Sequence, residues 1–185
     1  MKLNLGCGYK KLAGFVNVDL FAECAPDAVV NLEEFPWPWA DSSADRVVFN
    51  HSLEHLGASV RTFQSIIQEL YRVCRGGAEV HVNVPHPRHD DFIDDPTHVR
   101  PITPALLSLL SKKLNAEWHR TGASNSPLAH YWNVDFEIKR AEFGLDEAYQ
   151  ARFASGESSV QEIGALSRER NNVVKEIRIV LVAVK

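Results

Sequence analysis

An α/β fold, with a mostly parallel, seven-stranded sheet and an antiparallel closing strand, is what this sequence predicts, on three observations. The first is "LNLGCG" at positions 3–8, a short apolar run that breaks into a two-glycine turn. The second is "SVRTFQSIIQELYRVCRGGAEVHVNV", a one-faced helical pattern followed at once by an alternating apolar run. A strand reached through a helix lies parallel to its neighbours, because a crossover returns the chain to the same end of the sheet. The third is the tail, where "VDFEIKRAEF" and "KEIRIVLVAVK" each alternate on a two-residue period. That alternation is the mark of paired strands, here an antiparallel pair closing the sheet.

The elements follow in chain order. Runs of β-branched and aliphatic residues bounded by Gly, Pro, Asn and Asp predict strands at Lys2–Leu5, Phe15–Val18, Ala28–Val30, Arg46–Asn50 and Ala78–Val84. In the first helix Val60, Phe63, Ile66, Ile67, Leu70, Val73 and Cys74 share one face. Ser59 caps its start and Gly76 is placed to close its end in the left-handed conformation. "TPALLSLLSKKL" predicts a second helix, with Thr103 as N-cap, Pro104 in the first turn and Lys112 and Lys113 in the last. Ser158–Arg170 has a helical pattern that Gly164 and the preceding Gly156 weaken. With no repeat and no linker, the expectation is one domain over residues 1–185, with 85–130 as an insertion on the substrate side.

Composition narrows the function classes. At 185 residues the chain can bury a proper core. A formal net charge of −4, with acidic and basic residues interspersed, disfavours nucleic acid as a partner. No apolar run approaches the ~20 residues of a membrane span, and Met1-Lys2-Leu3 leads straight into the first strand, so neither membrane nor signal peptide is expected. Three cysteines, Cys7, Cys24 and Cys74, have no paired spacing; they fit a reduced cytoplasm rather than a disulfide framework or a zinc site.

The glycine turn carries the first chemistry. A strand that runs into Gly6 and Gly8 at the carboxyl edge of a parallel sheet is where open α/β folds bind nucleotides. Asp19 ends the next strand in "NVDL", where a carboxylate accepts hydrogen bonds from a ribose diol. A nicotinamide site is disfavoured, because Lys11 stands where the third glycine of G-x-G-x-x-G falls and Asp19 follows Gly8 by only 11 positions. No full helix fits between these strands, so a pyrophosphate lacks its helix N-terminus. An adenosine ligand without phosphates suits the spacing better.

Four segments, in order, resemble the class I S-adenosylmethionine-dependent methyltransferases of the small methyltransferase-domain type. They are "LNLGCG", "FVNVDL", "VVNLEEFPWPWADSSADRVVFNHSLEHL" and "LYRVCRGGAEVHVNVP", which together cover most of residues 3–85. The resemblance implies a Rossmann-like fold, methyl transfer as the activity and S-adenosyl-L-methionine as the cofactor. It also implies cofactor contacts from Leu5, Gly6, Cys7 and Gly8 in the turn, Asp19 at the ribose, Asn31 and Leu32 at the adenine, and Asn50, His51 and Ser52 near the sulfonium. The chain departs from the family pattern at Lys10, where a glycine is frequent, and at Asn4, where an acid is common. Trp37 and Trp39 are expected to cover the adenine side or to join the core.

Methyl transfer is an in-line displacement for which the protein supplies position and, for some acceptors, a base. Histidine suits that role at neutral pH. His51 is expected to face the pocket, whereas Glu54 and His55 read as residues that start or cap a helix. "HPRHDDFIDDPTHVRPITP" leaves the fifth strand on the same side as the turn, so His86, His89 and His98 join His51 as candidate catalytic residues, in a loop that walls the substrate. The rival readings are a solvated acidic loop tied by Asp–Arg pairs, and a metal-dependent hydrolase that uses the same loop. A non-catalytic cofactor-binding module, or a partner subunit with the same fold, is the alternative of a different class. The expected acceptor is a small molecule or is glycan-like, with its O, N or C nucleophile unassigned, and a homo-oligomer is left open. Acceptor specificity is expected from 85–130, from the insert between the last two strands, or from a second subunit.

Overall fold

A computed structural model describes residues 1–185. Seven strands form one sheet: β1 (Lys2–Leu5), β2 (Val16–Asp19), β3 (Ala28–Val29), β4 (Ala44–Asn50), β5 (Cys74–Pro85), β6 (Phe136–Leu145) and β7 (Val174–Ala183). Their spatial order is β3-β2-β1-β4-β5-β7-β6. The first five pair in parallel, and β7 runs antiparallel to both β5 and β6. The strand order reverses between β1 and β4, and a crevice at the carboxyl ends of the strands is the expected binding place in such a sheet.

Local sequence explains most of the elements. Helix α1 (Val60–Val73) starts where Ser59 Oγ accepts the Thr62 amide. Its Phe63, Ile66, Ile67, Leu70 and Val73 are buried against a sheet core that includes Leu3, Leu5, Val47, Phe49, Val80 and Val82. Cys74 already has extended backbone, so β5 begins directly after the helix. Gly77, not Gly76, takes the left-handed φ, at +79°.

The second helix departs from expectation. It divides into α3 (Pro104–Ser108) and α4 (Lys112–Thr121), after a short α2 (Asp90–Ile93). Thr103 caps α3 as expected, but Ser111 caps a fresh start and accepts the Leu114 amide. The Leu109 and Leu110 carbonyls go to the Ala129 and Phe136 amides instead of continuing a helix. Lys112 and Lys113 therefore open α4 rather than close its predecessor.

The chain continues through α5 (Leu128–Tyr131), and α6 (Glu147–Ala154) and α7 (Val160–Glu169) lie between β6 and β7. Helix α7 forms despite Gly164, because Ser159 and Glu162 make a capping box. No helix separates β1 from β2, and no helix is long and apolar enough to cross a membrane.

Candidate functional site

A cleft of about 300 Å³ opens at the carboxyl ends of β1, β2 and β4, bounded by Gly6, Gly8, Asp19, Leu20, Val30, Asn31, Leu32, His51, Ser52, His55 and Leu56. The glycine turn is its floor. Gly6 has φ +69°, and a Cβ there would overlap Ser52 Cβ. Gly8, at φ +48°, faces open space, with no protein atom within 4 Å of where a Cβ would stand. Glycine thus lets the turn close on one side and be approached on the other.

Asp19 is set by backbone amides: Gly8 N–H donates to Oδ2 at 2.7 Å and Phe21 N–H to Oδ1 at 2.9 Å. Each oxygen keeps lone-pair capacity toward the cleft. Asn4, the departure from the acidic pattern, donates from Nδ2 to the Lys10 carbonyl and to Asn17 Oδ1, at 3.0 and 2.9 Å. It therefore braces the turn from within, at the Lys10 position where the glycine is missing.

On the opposite wall Asn31 faces the cleft, though its amide also donates to Glu34 Oε1 at 3.0 Å. Leu32 is buried, and its carbonyl accepts the Trp37 indole N–H at 3.0 Å. Trp37 is a core residue that meets Trp39 edge-on at 5.9 Å, so the tryptophans hold this wall from behind. Glu69 and Arg72 on α1 clamp the segment: Glu69 accepts the Trp37 amide, and Arg72 donates to the Trp37 and Trp39 carbonyls.

Of the expected cofactor contacts, Gly6, Gly8, Asp19, Asn31, Leu32, His51 and Ser52 line this one cleft. Leu5 and Cys7 are buried beneath the turn, and Asn50 turns aside to accept from Asn83 Nδ2 at 2.8 Å. The buried Ser52 hydroxyl donates to the Leu5 carbonyl at 2.7 Å, tying the end of β4 to the end of β1.

His51 follows β4 at φ +51°, a strained conformation for a residue with a Cβ and one that clusters at functional sites. Its Nε2 lies 3.1 Å from Glu176 Oε2 and its Nδ1 3.7 Å from Glu54 Oε1. Burial alone would raise the Glu176 carboxyl, but hydrogen bonds from Asn83 and His51 and the nearby Arg178 hold it below the usual range. An imidazole oriented by carboxylates can take a proton and keep the resulting charge.

The other histidines separate. His86 lies on a different concavity, of about 490 Å³, with Phe143, Leu145, Phe153, Val160, Ile163 and Val174 among its walls. His89 is buried and accepts the Asp91 amide while its Nε2 sits 3.4 Å from Asp146 Oδ2; it caps α2. Neither borders the cleft, because the loop after β5 is stapled away from it: Arg88 donates to the Ser167 and Arg168 carbonyls, and Asn172 pairs with Asp90. The cleft therefore gathers His51 but neither of these two, while His86 lines the neighbouring concavity, and no Asp–Arg pair ties the loop. His98 approaches the site from behind, its Nε2 4.0 Å from Glu54 Oε1.

Glu54 and His55 do more than start a helix. His55 borders the cleft. Glu54 is fully buried, with neither carboxylate oxygen hydrogen-bonded. Burial pushes its carboxyl up to about 7, against its own backbone amide and His98. Burial and His98 hold His55 below the ordinary histidine value. The spacing in "HSLEHL" was the available signal, but the meeting with His98 depends on a contact 44 residues away.

No protein-family model and no curated protein sequence matches the chain. Solved structures do. A SAM-dependent methyltransferase from Archaeoglobus fulgidus aligns over 98% of this chain and 85% of its own, at 17% identity and TM-score 0.64. One from Methanosarcina mazei aligns over 100% and 92%, at 15% identity and TM-score 0.56. The [4+2]-cyclase SpnF aligns over 99% and 75%, at 15% identity and TM-score 0.53. The sheet order, the antiparallel β7 and the cleft at the switch point belong together: the chain has the fold of the class I S-adenosylmethionine-dependent methyltransferases.

Proposed function

We propose that the cleft binds S-adenosyl-L-methionine and that the protein transfers its methyl group to a small-molecule acceptor. The observation that carries this reading is the convergence of Gly6, Gly8, Asp19, Asn31, Leu32, His51 and Ser52 on one cleft at the switch point of a methyltransferase-type sheet. The residues fit the cofactor. The amide-anchored Asp19 carboxylate suits a ribose diol, the open side of Gly8 admits close approach, and Leu32 gives an apolar wall for a base. No helix N-terminus faces the turn to hold phosphates, which favours this ligand over a dinucleotide. When bound, the cofactor supplies an electrophilic methyl group on a sulfonium.

The chain's own residues then position the acceptor. A recess of about 340 Å³ shares His51 with the cofactor cleft and adds Lys175, Glu176 and Arg178. Through Leu145 it adjoins the apolar concavity of α6 and α7. An acceptor with a polar group near Lys175 and Arg178 and an apolar end along Leu145 fits this run. His51, held by Glu176, is the group placed to receive a proton from the acceptor's nucleophile. Specificity then rests on β6, β7 and the insert between them.

The test uses cofactor labelled in its methyl group and a panel of small amphipathic hydroxy and amino compounds. Label transfer that His51→Ala reduces by about 10²-fold or more supports the reading. Cofactor binding without transfer to any member favours a binding module, a role this fold can host. The [4+2]-cyclase among the structural relatives shows that methyl transfer is not the fold's only chemistry.

A further inference from the structure

We propose that Glu54, His55 and His98 bind a divalent first-row transition ion, for which zinc is the reference, at the edge of the cofactor cleft. One ligand atom from each lies within 4.8 Å of the other two. The donor set, two imidazoles and one carboxylate, suits zinc and its neighbours rather than magnesium or calcium, which prefer oxygen.

Hydrogen bonds fix both rings for ligation. Thr97 Oγ donates its proton to Asp95 Oδ1 at 2.6 Å, so toward His55 it acts as acceptor and holds His55 Nδ1–H at 2.9 Å. The Phe92 carbonyl, which only accepts, holds His98 Nδ1–H at 3.0 Å. Each neutral ring is thereby set in the tautomer that leaves Nε2 bare. Metal-bound histidines are oriented in the same way by their other nitrogen.

Glu54 supplies the second, independent observation. Its carboxylate is fully buried and makes no hydrogen bond, with Oε1 3.7 Å from His51 Nδ1 and 4.0 Å from His98 Nε2. An unpaired carboxylate is costly to bury, and a cation removes that cost. The Glu54 carbonyl accepts the Val99 and Arg100 amides at 2.9 and 3.2 Å, which fastens the His98 loop beside it.

The fit needs a modest contraction. Zinc ligands at ~2.0–2.1 Å sit about 3.3 Å apart in a tetrahedron, so rotations that move the donors by about an ångström close the site. One carboxylate leaves a divalent ion with a net positive charge, which Asp95, with Oδ2 3.8 Å from His98 Nε2, offsets. His55 also borders the cleft, so the proposed site adjoins it.

This proposal does not depend on methyl transfer, and its test is direct. Zinc is titrated into chelator-treated, full-length protein against a coloured competing chelator, with folding followed by circular dichroism. Wild type is expected to bind one zinc per chain, with melting temperature rising as zinc is added. Glu54→Gln, which preserves shape, and His55→Ala should each weaken binding by about 100-fold, and Thr97→Val by about tenfold. His119→Ala, an exposed control, should bind as wild type does. Wild-type affinity in folded Glu54→Gln and His55→Ala, or no zinc bound by folded wild type, overturns the proposal.

Discussion

The Gly8 amide donates to Asp19 Oδ2 at 2.7 Å, joining the glycine turn after β1 to the carboxylate at the end of β2. Turn and carboxylate are therefore one unit. The turn sets where the carboxylate points, and the carboxylate satisfies an amide that the turn leaves free.

Gly6→Ala is expected to damage this unit twice. A Cβ at φ +69° is strained, and here it overlaps Ser52 Cβ. The expected loss is on the order of 3 kcal/mol in urea unfolding. Gly8→Ala, at φ +48° but in open space, should cost on the order of 1 kcal/mol. Equal losses at the two positions would show that the Ser52 contact is unimportant.

The clamp behind the Asn31–Leu32 wall gives a second expectation. Arg72 makes four contacts of note, to the Trp37 and Trp39 carbonyls, Glu69 and Asp41. Arg72→Ala leaves Glu69 and two carbonyls short of a donor and should cost about 2–3 kcal/mol. Tryptophan fluorescence would shift toward that of exposed indole before global unfolding. An unchanged denaturation midpoint would show that the clamp is not needed.

An acidic limit follows from Glu79. Hydrogen bonds from Lys139 and His81 hold its carboxyl at about 2, below the ordinary 4.5. As pH falls the unfolded carboxyl takes up its proton first, so the stability Glu79 contributes is present above pH 4.5 and is lost toward pH 2. Glu79→Gln should therefore flatten the stability profile over that window. A profile parallel to wild type would contradict it.

The alkaline side belongs to Cys74, whose thiol burial pushes up from 9.0 to about 12. The unfolded thiol ionises first as pH rises, so stability falls from pH 9 toward 12. Cys74→Ala should remove that component of the alkaline slope. In native protein near neutral pH, the buried thiol should also resist alkylation.

Much of the site was legible because its signals are local. Gly6, Gly8 and Asp19 sit where strands end, and strand ends are marked by a two-residue period running into a turn. The first five strands follow from β-branched and aliphatic runs between turn residues, and the closing antiparallel pair from the two-residue period of the tail. The histidines after β5 were harder, because no periodicity fixes where a loop side chain points. His86 and His89 lie off the cleft because Arg88 donates to the Ser167 and Arg168 carbonyls and Asp90 accepts from Asn172, residues some 80 positions later. Glu54 and His55 looked like helix-starting residues, and the structure gives that stretch one 3-10 turn. His98 is brought beside them by contacts far along the chain, among them the Glu54 carbonyl accepting the Val99 and Arg100 amides and Arg100 donating to the Gly57 carbonyl.

The first measurement is calorimetric titration of the purified protein with S-adenosylhomocysteine, beside NAD and an Asp19→Ala variant. Saturable binding of S-adenosylhomocysteine alone, weakened at least about tenfold in the variant, is the expected result; a lost charge-assisted hydrogen bond has that size. No binding by folded wild type, or equal binding by Asp19→Ala, would contradict the assignment of the cleft to this cofactor.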